Sequence, residues 1–287
     1  MSSNTSAAGV VAAIYRYPVK SMLGEELNAA RVEAGGVAGD RVHALIDDET
    51  GRVVSVKRPK RWSRIFELRA FTDGAVRVRF PDGIARSVDD ASLTALLRAF
   101  FGRAVSISSS PPPDAYFDEA WVRDLKNGAD PYFGRPSRFE DGDEIVAGGG
   151  LMSKQGNFFN HSPVHIVTTS TLRALAQAAP SSRFESQRFR PNLVVDIPGS
   201  EFVENGWRGR TLRIGSAVFG VTMAVPRCVM TTLAQGDLPH DPNVLRTITA
   251  SNAIDALSTG TRYPCAGVYA QVLQAGEIHG GDVATLD

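Results

Sequence analysis

The sequence predicts a mainly β protein with some helix, an α+β chain whose strands form a β-barrel or strongly curved mixed sheets. Short β-branched and aromatic stretches alternate with turns rich in glycine and proline, and only a few stretches show helical spacing. Two hairpins are indicated, because residues 41–47 and 52–57 flank an Asp-Glu-Thr-Gly turn, and residues 75–80 and 84–88 flank Pro-Asp-Gly. This pattern favours a barrel over a doubly wound sheet.

The first half of the chain is predicted to be mostly strands. A strand over residues 10–19 precedes the two hairpins. One helix begins at Asp89 or Asp90, carries Leu93 and Leu97 at helical spacing, and ends at Gly102.

The second half repeats this texture with one predicted helix, residues 170–179, which Pro180 ends. The predicted strands lie at residues 164–168, 193–197, 211–214, 217–225 and 267–273, and a last extended stretch covers 277–286.

A chain of 287 residues is longer than one ordinary domain. Serine, proline and glycine are frequent between residues 108 and 150, which is typical of a linker or an irregular surface segment. We therefore predict an N-terminal β domain over residues 8–110, a linker or lid over 111–150, and a second domain over 151–287. The aromatic side chains of the lid either cover a substrate or pack against the body; they are Tyr116, Phe117 and Trp121.

Composition excludes several classes of protein. Lys plus Arg and Asp plus Glu both number 31, so the bulk charge gives no reason to expect nucleic acid or an anionic membrane as partner. No apolar run approaches the roughly 20 residues of a membrane span, and the start MSSNTSAAG lacks the features of a signal peptide. We expect a soluble cytoplasmic protein. Cys228 and Cys265 are too few for a disulfide framework and wrongly arranged for structural zinc.

The densest cluster of unusual residues is VPRCVMTT, residues 225–232, which follows a predicted strand. Arg227 precedes Cys228, and Thr231 follows it, so a ligand could meet a thiol whose pKa is lowered by positive charge. Such a thiol serves as a nucleophile or as a ligand for a soft metal. The alternative is a buried cysteine that acts as a small hydrophobic residue.

Other polar residues also stand at predicted strand ends. Each has an ordinary explanation, namely a salt bridge, a solvent-facing lysine or a helix N-cap. Together they could hold a phosphate and a polar heterocycle beside a thiolate. The set consists of Lys20, Ser21, Arg41, Thr168, Thr169, Ser170, Thr171, Arg190, Asn192 and Arg227.

Taken in order, the motifs resemble the two-part MOSC proteins, in which a MOSC-type β-barrel-like domain precedes the MOSC domain. The group includes the mitochondrial amidoxime-reducing component and its bacterial relatives, and the resemblance covers residues 10–286. The motifs are YPVKS (17–21), GDR (39–41), the hydroxyl-rich turn (168–171), FRPN (189–192), PRCVMTT (226–232) and GVYAQVL (267–273).

The resemblance implies a molybdenum cofactor, molybdopterin with Mo, and makes Cys228 both the protein ligand to the metal and the catalytic residue. It assigns Lys20, Ser21, Arg41, Arg190 and Asn192 to the pterin and its phosphate. The hydroxyl turn at Thr168, Thr169 and Ser170, together with Arg227 and Thr231, completes the implied cofactor site. A thiolate suits molybdenum because sulfur donors are soft ligands.

The implied function is a molybdenum oxidoreductase that reduces N-hydroxylated or other N-oxygenated small molecules. The chain has no Fe–S cysteine pattern or dinucleotide motif, so a separate flavin, haem or ferredoxin-type electron donor is expected. Residues 231–242 differ from the DPDTG loop of the amidoxime reducers, which leaves the substrate open. Two alternatives remain, a sulfur-handling protein that uses Cys228 as persulfide carrier or C–S bond-cleaving residue, and a molybdenum-cofactor carrier.

Three further residues are also interpreted from the sequence. Cys265 is interpreted as a core residue at the start of a strand. His161 and His240 lie near the implied site, where each either relays a proton or stays in a surface loop.

Overall fold

The computed structural model describes residues 6–111, 116–121, 145–147, 157–258 and 260–287. Most of the predicted lid lies outside these residues, as does the side chain of Trp121. The described strands are β1 (Ser6–Arg16), β2 (Glu25–Leu27), β3 (Ala29–Glu33), β4 (Gly36–Val37), β5 (Ala44–Asp47), β6 (Arg52–Val54), β7 (Arg69–Asp73), β8 (Ala75–Arg79), β9 (Ala85–Ser87), β10 (Val105–Ser108), β11 (Phe117–Trp121), β12 (Ile145–Ala147), β13 (Val164–Thr168), β14 (Leu193–Asp196), β15 (Thr211–Ile214), β16 (Ala217–Pro226), β17 (Ala253–Ile254), β18 (Tyr263–Gln274), β19 (Gly276–His279) and β20 (Val283–Leu286).

Helices are short in this fold. The α-helices are α1 (Pro59–Trp62), α2 (Ala91–Phe101), α3 (Thr169–Ala178) and α4 (Asn243–Ser251), and 3-10 helices cover Ser63–Glu67, Ser186–Phe189, Val203–Trp207 and Val229–Thr232. No helix within the described ranges is both long enough and apolar enough to cross a membrane.

The chain divides into two compact units. The first, here called the barrel unit, comprises Met1–Arg16, Glu26–Ala38 and Ser162–Asp287, and the second unit comprises Tyr17–Glu25 and Gly39–His161. Strand β1 thus belongs to the same unit as the second half of the chain. The domain boundaries given above stay a prediction.

Seven strands of the barrel unit close into a barrel. Their order is β13-β14-β1-β20-β15-β16-β18, and β18 pairs back with β13. The β13–β14 pair is parallel, and the other neighbours are antiparallel. The mainly β prediction is confirmed.

Every second side chain along a barrel strand points into the core and fills the barrel. In β16, Ala217, Phe219 and Val221 belong to the core cluster, because side chains two residues apart lie on one face of a strand. Ile14 of β1 and Ile166 of β13 are completely buried in the same cluster. Each such side chain contributes about 1.5–3 kcal/mol by leaving water, so the barrel is a stable support for the turns at its rim.

The second unit contains two smaller sheets, in the orders β10-β5-β6-β11-β12 and β7-β8-β9. Both predicted hairpins are present, as β5–β6 and β8–β9. The predicted helix is α2: the Asp90 carboxylate accepts a hydrogen bond from Ser92 N at 2.8 Å, and Gly102 ends the helix at φ 63°.

Helix α4 was not predicted. Its spacing of buried Val244, Thr247 and Ile248 is helical, and Pro242 stands at its N-cap. Packing of α4 against α3 and β18 stabilises the helix.

Candidate functional site

Cys228 lies just beyond the barrel ladder, where β16 ends. The β16–β18 register shifts between Ala224 and Pro226, an irregularity typical of strands next to functional sites. Cys228 is half-buried and forms the N-cap of the 3-10 helix Val229–Thr232. Thr231 donates to the Cys228 carbonyl from N at 3.2 Å and from Oγ1 at 3.0 Å. The backbone that carries the thiol is therefore held in place by hydrogen bonds.

Cys265 has the opposite environment. It lies in β18, has no exposed surface, and burial raises the pKa of its thiol to about 12. The interpretation of Cys265 as a core residue is confirmed. Cys228 is thus the thiol that a ligand can reach.

Arg227 is almost completely buried beside Cys228. Its backbone N donates to Pro264 O at 2.7 Å and its Nη2 to Phe189 O at 2.8 Å, while the guanidinium lies 5.3 Å from the Phe189 ring centre. Arg190 is 5% exposed and has a left-handed backbone, φ 54°. The FRPN and PRCVMTT motifs therefore meet through the contact between Arg227 and Phe189, and each contains a buried arginine.

Arg188 is a buried residue that the sequence analysis did not identify. It has no exposed surface, and burial lowers the pKa of its guanidinium. Its donors reach four carbonyl oxygens of three chain segments, those of Arg183 (2.8 Å), Thr231 (3.3 Å), Leu233 (3.2 Å) and Pro239 (2.8 Å). Arg188 thereby holds the loop that follows Cys228, a role that no local sequence pattern reveals.

Asn192 has a structural role at the start of β14. Its Oδ1 accepts from His165 N at 3.1 Å, and its Nδ2 donates to Tyr15 O at 3.4 Å. His165 is also close to Gly267, where an added Cβ would lie 2.5 Å from the ring Nε2. Gly267 has φ +80°, so a side chain is excluded both by backbone strain and by this contact.

The hydroxyl turn between β13 and α3 is used within the protein. Thr168 caps α3 by accepting from Thr171 N at 3.1 Å, and both threonine hydroxyls donate to Glu204 Oε2, at 2.8 and 2.7 Å. Ser170 Oγ donates to Glu201 O at 2.8 Å, and Thr169 donates to Asp196. Burial raises the pKa of the Glu204 carboxyl. Cofactor binding by this turn stays a prediction.

In the second unit, Lys20 and Ser21 follow the YPV segment directly. Lys20 is 5% exposed; its Nζ donates to Phe158 O at 3.1 Å and to Asn160, and lies 4.0 Å from the Phe117 ring centre. Ser21 has φ 65° and its Oγ accepts from Val56 N at 3.2 Å. The lysine is therefore not solvent-facing.

Arg41 belongs to the same local structure. It pairs with the buried Asp40, whose Oδ1 accepts from Tyr17 N at 2.7 Å, and its guanidinium lies 4.9 Å from the Tyr17 ring centre. Arg41 also has a left-handed backbone, φ 51°. The YPVKS and GDR motifs thus meet within the second unit.

The predicted residues therefore fall into separate sets. In the barrel unit, Thr231 bonds the Cys228 carbonyl and Arg227 contacts the segment that contains Arg190, while Thr168 to Ser170 form a bonded turn. Lys20, Ser21 and Arg41 lie in the second unit. Within the described ranges, no group of three His, Cys, Asp or Glu side chains could hold a metal ion. His240 is exposed and His161 half-buried, and a proton relay through either stays a prediction.

Fold and site together define a β-barrel protein with one accessible thiol beside buried arginines. Two family models match the chain, the MOSC N-terminal beta barrel domain over residues 8–110 and the MOSC domain over residues 153–285. The chain belongs to the MOSC family and carries both of its domains. This family is associated with the C-terminal domain of molybdenum-cofactor sulfurase.

Comparisons with individual proteins show only distant similarity. No curated protein matches the chain. Among solved structures, the YuaD protein from Bacillus subtilis is 12% identical over 99% of this chain and 97% of its own, with a TM-score of 0.48. YiiM from Geobacillus stearothermophilus is 17% identical over 44% of this chain and 54% of its own, with a TM-score of 0.30.

Proposed function

We propose that this protein is a molybdenum-cofactor oxidoreductase that reduces N-hydroxylated compounds, with the Cys228 thiolate as its ligand to the metal. The observation that carries the proposal is the position of Cys228. It is the accessible thiol of a MOSC domain, it lies on a backbone fixed by Thr231, and it adjoins the buried Arg227.

The residues fit the chemistry of such a cofactor. Molybdenum with sulfur donors is a soft site, so a thiolate is the appropriate protein ligand, and the metal's remaining ligands come from the cofactor itself. The cofactor's phosphate needs cations, and the barrel unit holds buried Arg190 and Arg227 in the FRPN and PRCVMTT motifs. When bound, the cofactor supplies the two-electron chemistry that removes oxygen from nitrogen.

The chain's own residues prepare this site. Thr231 fixes the Cys228 carbonyl and so the backbone that carries the thiol, and Arg188 fixes the loop that follows. Arg227, which is buried and precedes Cys228 in sequence, holds this turn to the Phe189 carbonyl.

Electrons come from a separate protein under this proposal. The sequence has two cysteines, fewer than the four that most Fe–S clusters take, and among the described residues they do not group with two histidines. We therefore infer a flavin, haem or ferredoxin-type donor.

Metal analysis tests the proposal. Wild type, Cys228→Ala and Cys265→Ala are purified from a host that makes the cofactor, and molybdenum and pterin are measured. We expect stoichiometric molybdenum in wild type and in Cys265→Ala, and at least about tenfold less in Cys228→Ala, because a metal ligand is lost. Equal molybdenum in all three proteins would show that Cys228 is not the ligand.

A second candidate is sulfur handling, favoured by the association of the family with cofactor sulfurase and by the accessible thiol. Here Cys228 carries a persulfide or cleaves a C–S bond without metal. Mass spectrometry of Cys228 in metal-free, active protein would reveal the persulfide. A cofactor carrier, the third candidate, would release molybdopterin readily and would not reduce benzamidoxime with an artificial electron donor.

A further inference from the structure

The loop that follows Cys228 buries a primary amide. Gln235 is 2% exposed, and among the described residues neither its Oε1 nor its Nε2 has a hydrogen-bond partner. A buried amide without partners destabilises a fold, because its hydrogen bonds to water are lost and not replaced. Native chains keep such a group where it serves a function.

The amide is not needed by its own turn. Gln235 N donates to Leu238 O, and Leu238 N donates to Gln235 O, each at 3.0 Å. Gly236, with φ +60°, allows the chain to turn between them. Both flanking leucines, Leu233 and Leu238, are buried. The turn is thus complete without the Gln235 side chain.

Arg188 links this turn to Cys228. One guanidinium reaches Leu233 O and Pro239 O on either side of Gln235, and also Thr231 O, whose residue is bonded to the Cys228 carbonyl. The thiol turn and the glutamine turn are therefore positioned by one side chain. They belong to one hydrogen-bonded loop of the barrel unit.

Another buried amide of the barrel unit is fully bonded. Asn252 is 5% exposed, its Nδ2 donates to Cys265 O at 2.9 Å, and its Oδ1 accepts from Asn205 at 2.8 Å. The lack of partners at Gln235 is therefore not a general property of buried amides in this unit.

We propose that Gln235 is a ligand-binding residue of the Cys228 site. Its amide pairs with a planar polar group that offers a hydrogen-bond donor and an acceptor side by side. The pterin ring of the cofactor has this chemistry, and so does the amidine end of an N-hydroxylated amidine. Only the identity of these two ligands rests on the proposed function.

Stability measurements test whether the Gln235 amide lacks hydrogen-bond partners within the protein. Replacing Gln235 by methionine keeps the length of the side chain and removes the unpaired amide, so we expect the Tm to rise by about 2 °C or more. The matched substitution Asn252→Leu removes a bonded amide and lowers the Tm. Gln177→Met, on the exposed face of α3, leaves it unchanged. A lower Tm for Gln235→Met would overturn the proposal, because the amide would then have partners within the protein.

Binding measurements distinguish the two ligands. Calorimetry on purified wild type and Gln235→Met uses pterin-6-carboxylate and benzamidoxime as probes. We expect the variant to bind one of them about tenfold more weakly, the loss expected when an amide pairing is removed. Weakened pterin binding identifies the cofactor as partner, and weakened benzamidoxime binding identifies the substrate. Equal binding by both proteins, or no binding by wild type, would refute the assignment.

The molybdenum measurement described above remains a separate result. Absence of molybdenum in wild type would sink the proposed function and leave the stability and binding comparisons for Gln235 intact.

Discussion

Cys228 and Cys265 belong to neighbouring strand segments but have opposite chemistry. Pro226 of β16 pairs with Cys265 of β18, so two residues and one strand pairing separate the two positions. Cys265 lies inside the ladder, where burial raises the pKa of its thiol to about 12, and Cys228 lies past the end of the ladder and is half-buried. Position relative to the strand end, rather than residue type, decides whether a thiol can meet a ligand.

The two positions are also held differently. Strand pairing and the Asn252 amide fix Cys265, because Cys265 N donates to Asn252 O and the Asn252 side chain donates back. Cys228 depends on side chains that bond its carbonyl and the next loop, namely Thr231 and Arg188. Because side chains rather than strand pairing hold the Cys228 turn, substitutions there can change the site without altering the strand pairing of the barrel.

Alkylation is expected to separate the two thiols most strongly. A thiol with pKa of about 12 is ionised to only about 10⁻⁴ at pH 8, and Cys265 is also inaccessible. We predict that iodoacetamide modifies Cys228 at least about 100-fold faster than Cys265 in the native, cofactor-free protein. Peptide mass spectrometry over a time course measures both rates. Since the thiolate is the reactive form, Cys265 gains reactivity only as the pH approaches 12.

Urea-unfolded protein is the control, because both cysteines should react at similar rates there. Comparable alkylation rates of Cys228 and Cys265 in the native protein would show that the two thiols do not differ in burial.

The substitution Arg188→Met should release the loop that follows Cys228 and leave the surroundings of Cys265 intact. It leaves the Thr231, Leu233 and Pro239 carbonyl oxygens without their donor, which should lower the free energy of unfolding by about 3 kcal/mol. Urea unfolding measures the loss. In the folded variant, alkylation of Cys228 should change while Cys265 stays protected.

Arg183→Met is the matched control, since Arg183 is exposed and pairs with Glu185 and Asp237 at the surface. The decrease in the free energy of unfolding caused by Arg183→Met should be much smaller than that caused by Arg188→Met. Equal destabilisation by the two substitutions would show that Arg188 does not hold the loop.

Local sequence patterns predicted the barrel strands, both hairpins and helix α2 because strand periodicity and turn residues act over short distances. The hairpin β5–β6 and the cap at Asp90 are examples. Helix α4 was missed because its stability comes from packing against α3 and β18, which no local pattern encodes.

The candidate site was predictable only in part. Cys228 could be singled out by its arginine and threonine neighbours, and the meeting of Arg227 with the FRPN segment agrees with the motif order. Arg188 and Gln235 could not be found, since their roles depend on burial and on carbonyl oxygens many residues away. The bonds of Thr168 and Thr171 to Glu204 could not be predicted, because Glu204 lies 33 residues beyond Thr171 along the chain, and cofactor binding by this turn stays a prediction.

The smallest effect is expected from the buried carboxyl of Glu204, which lies next to the residues that support Cys265. It precedes Asn205, which bonds Asn252 and so supports Cys265. Burial raises the pKa of its carboxyl above the ordinary 4.5, and among the described residues its Oε1 has no partner. A raised pKa in the folded state means that the stabilising contribution is complete below pH 4.5 and is lost as the pH rises through the folded-state value. Glu204→Gln keeps an acceptor for both threonine hydroxyls and cannot ionise, so its stability relative to wild type should increase with pH over that range. Urea unfolding from pH 4 to 8 measures this difference, with the exposed Glu201→Gln as control. A constant stability difference between the Glu204 variant and wild type would show that the carboxyl titrates as in the unfolded chain. We also expect the alkylation rate of Cys228 to be the same in this variant as in wild type, because Glu204 does not bond the Cys228 turn.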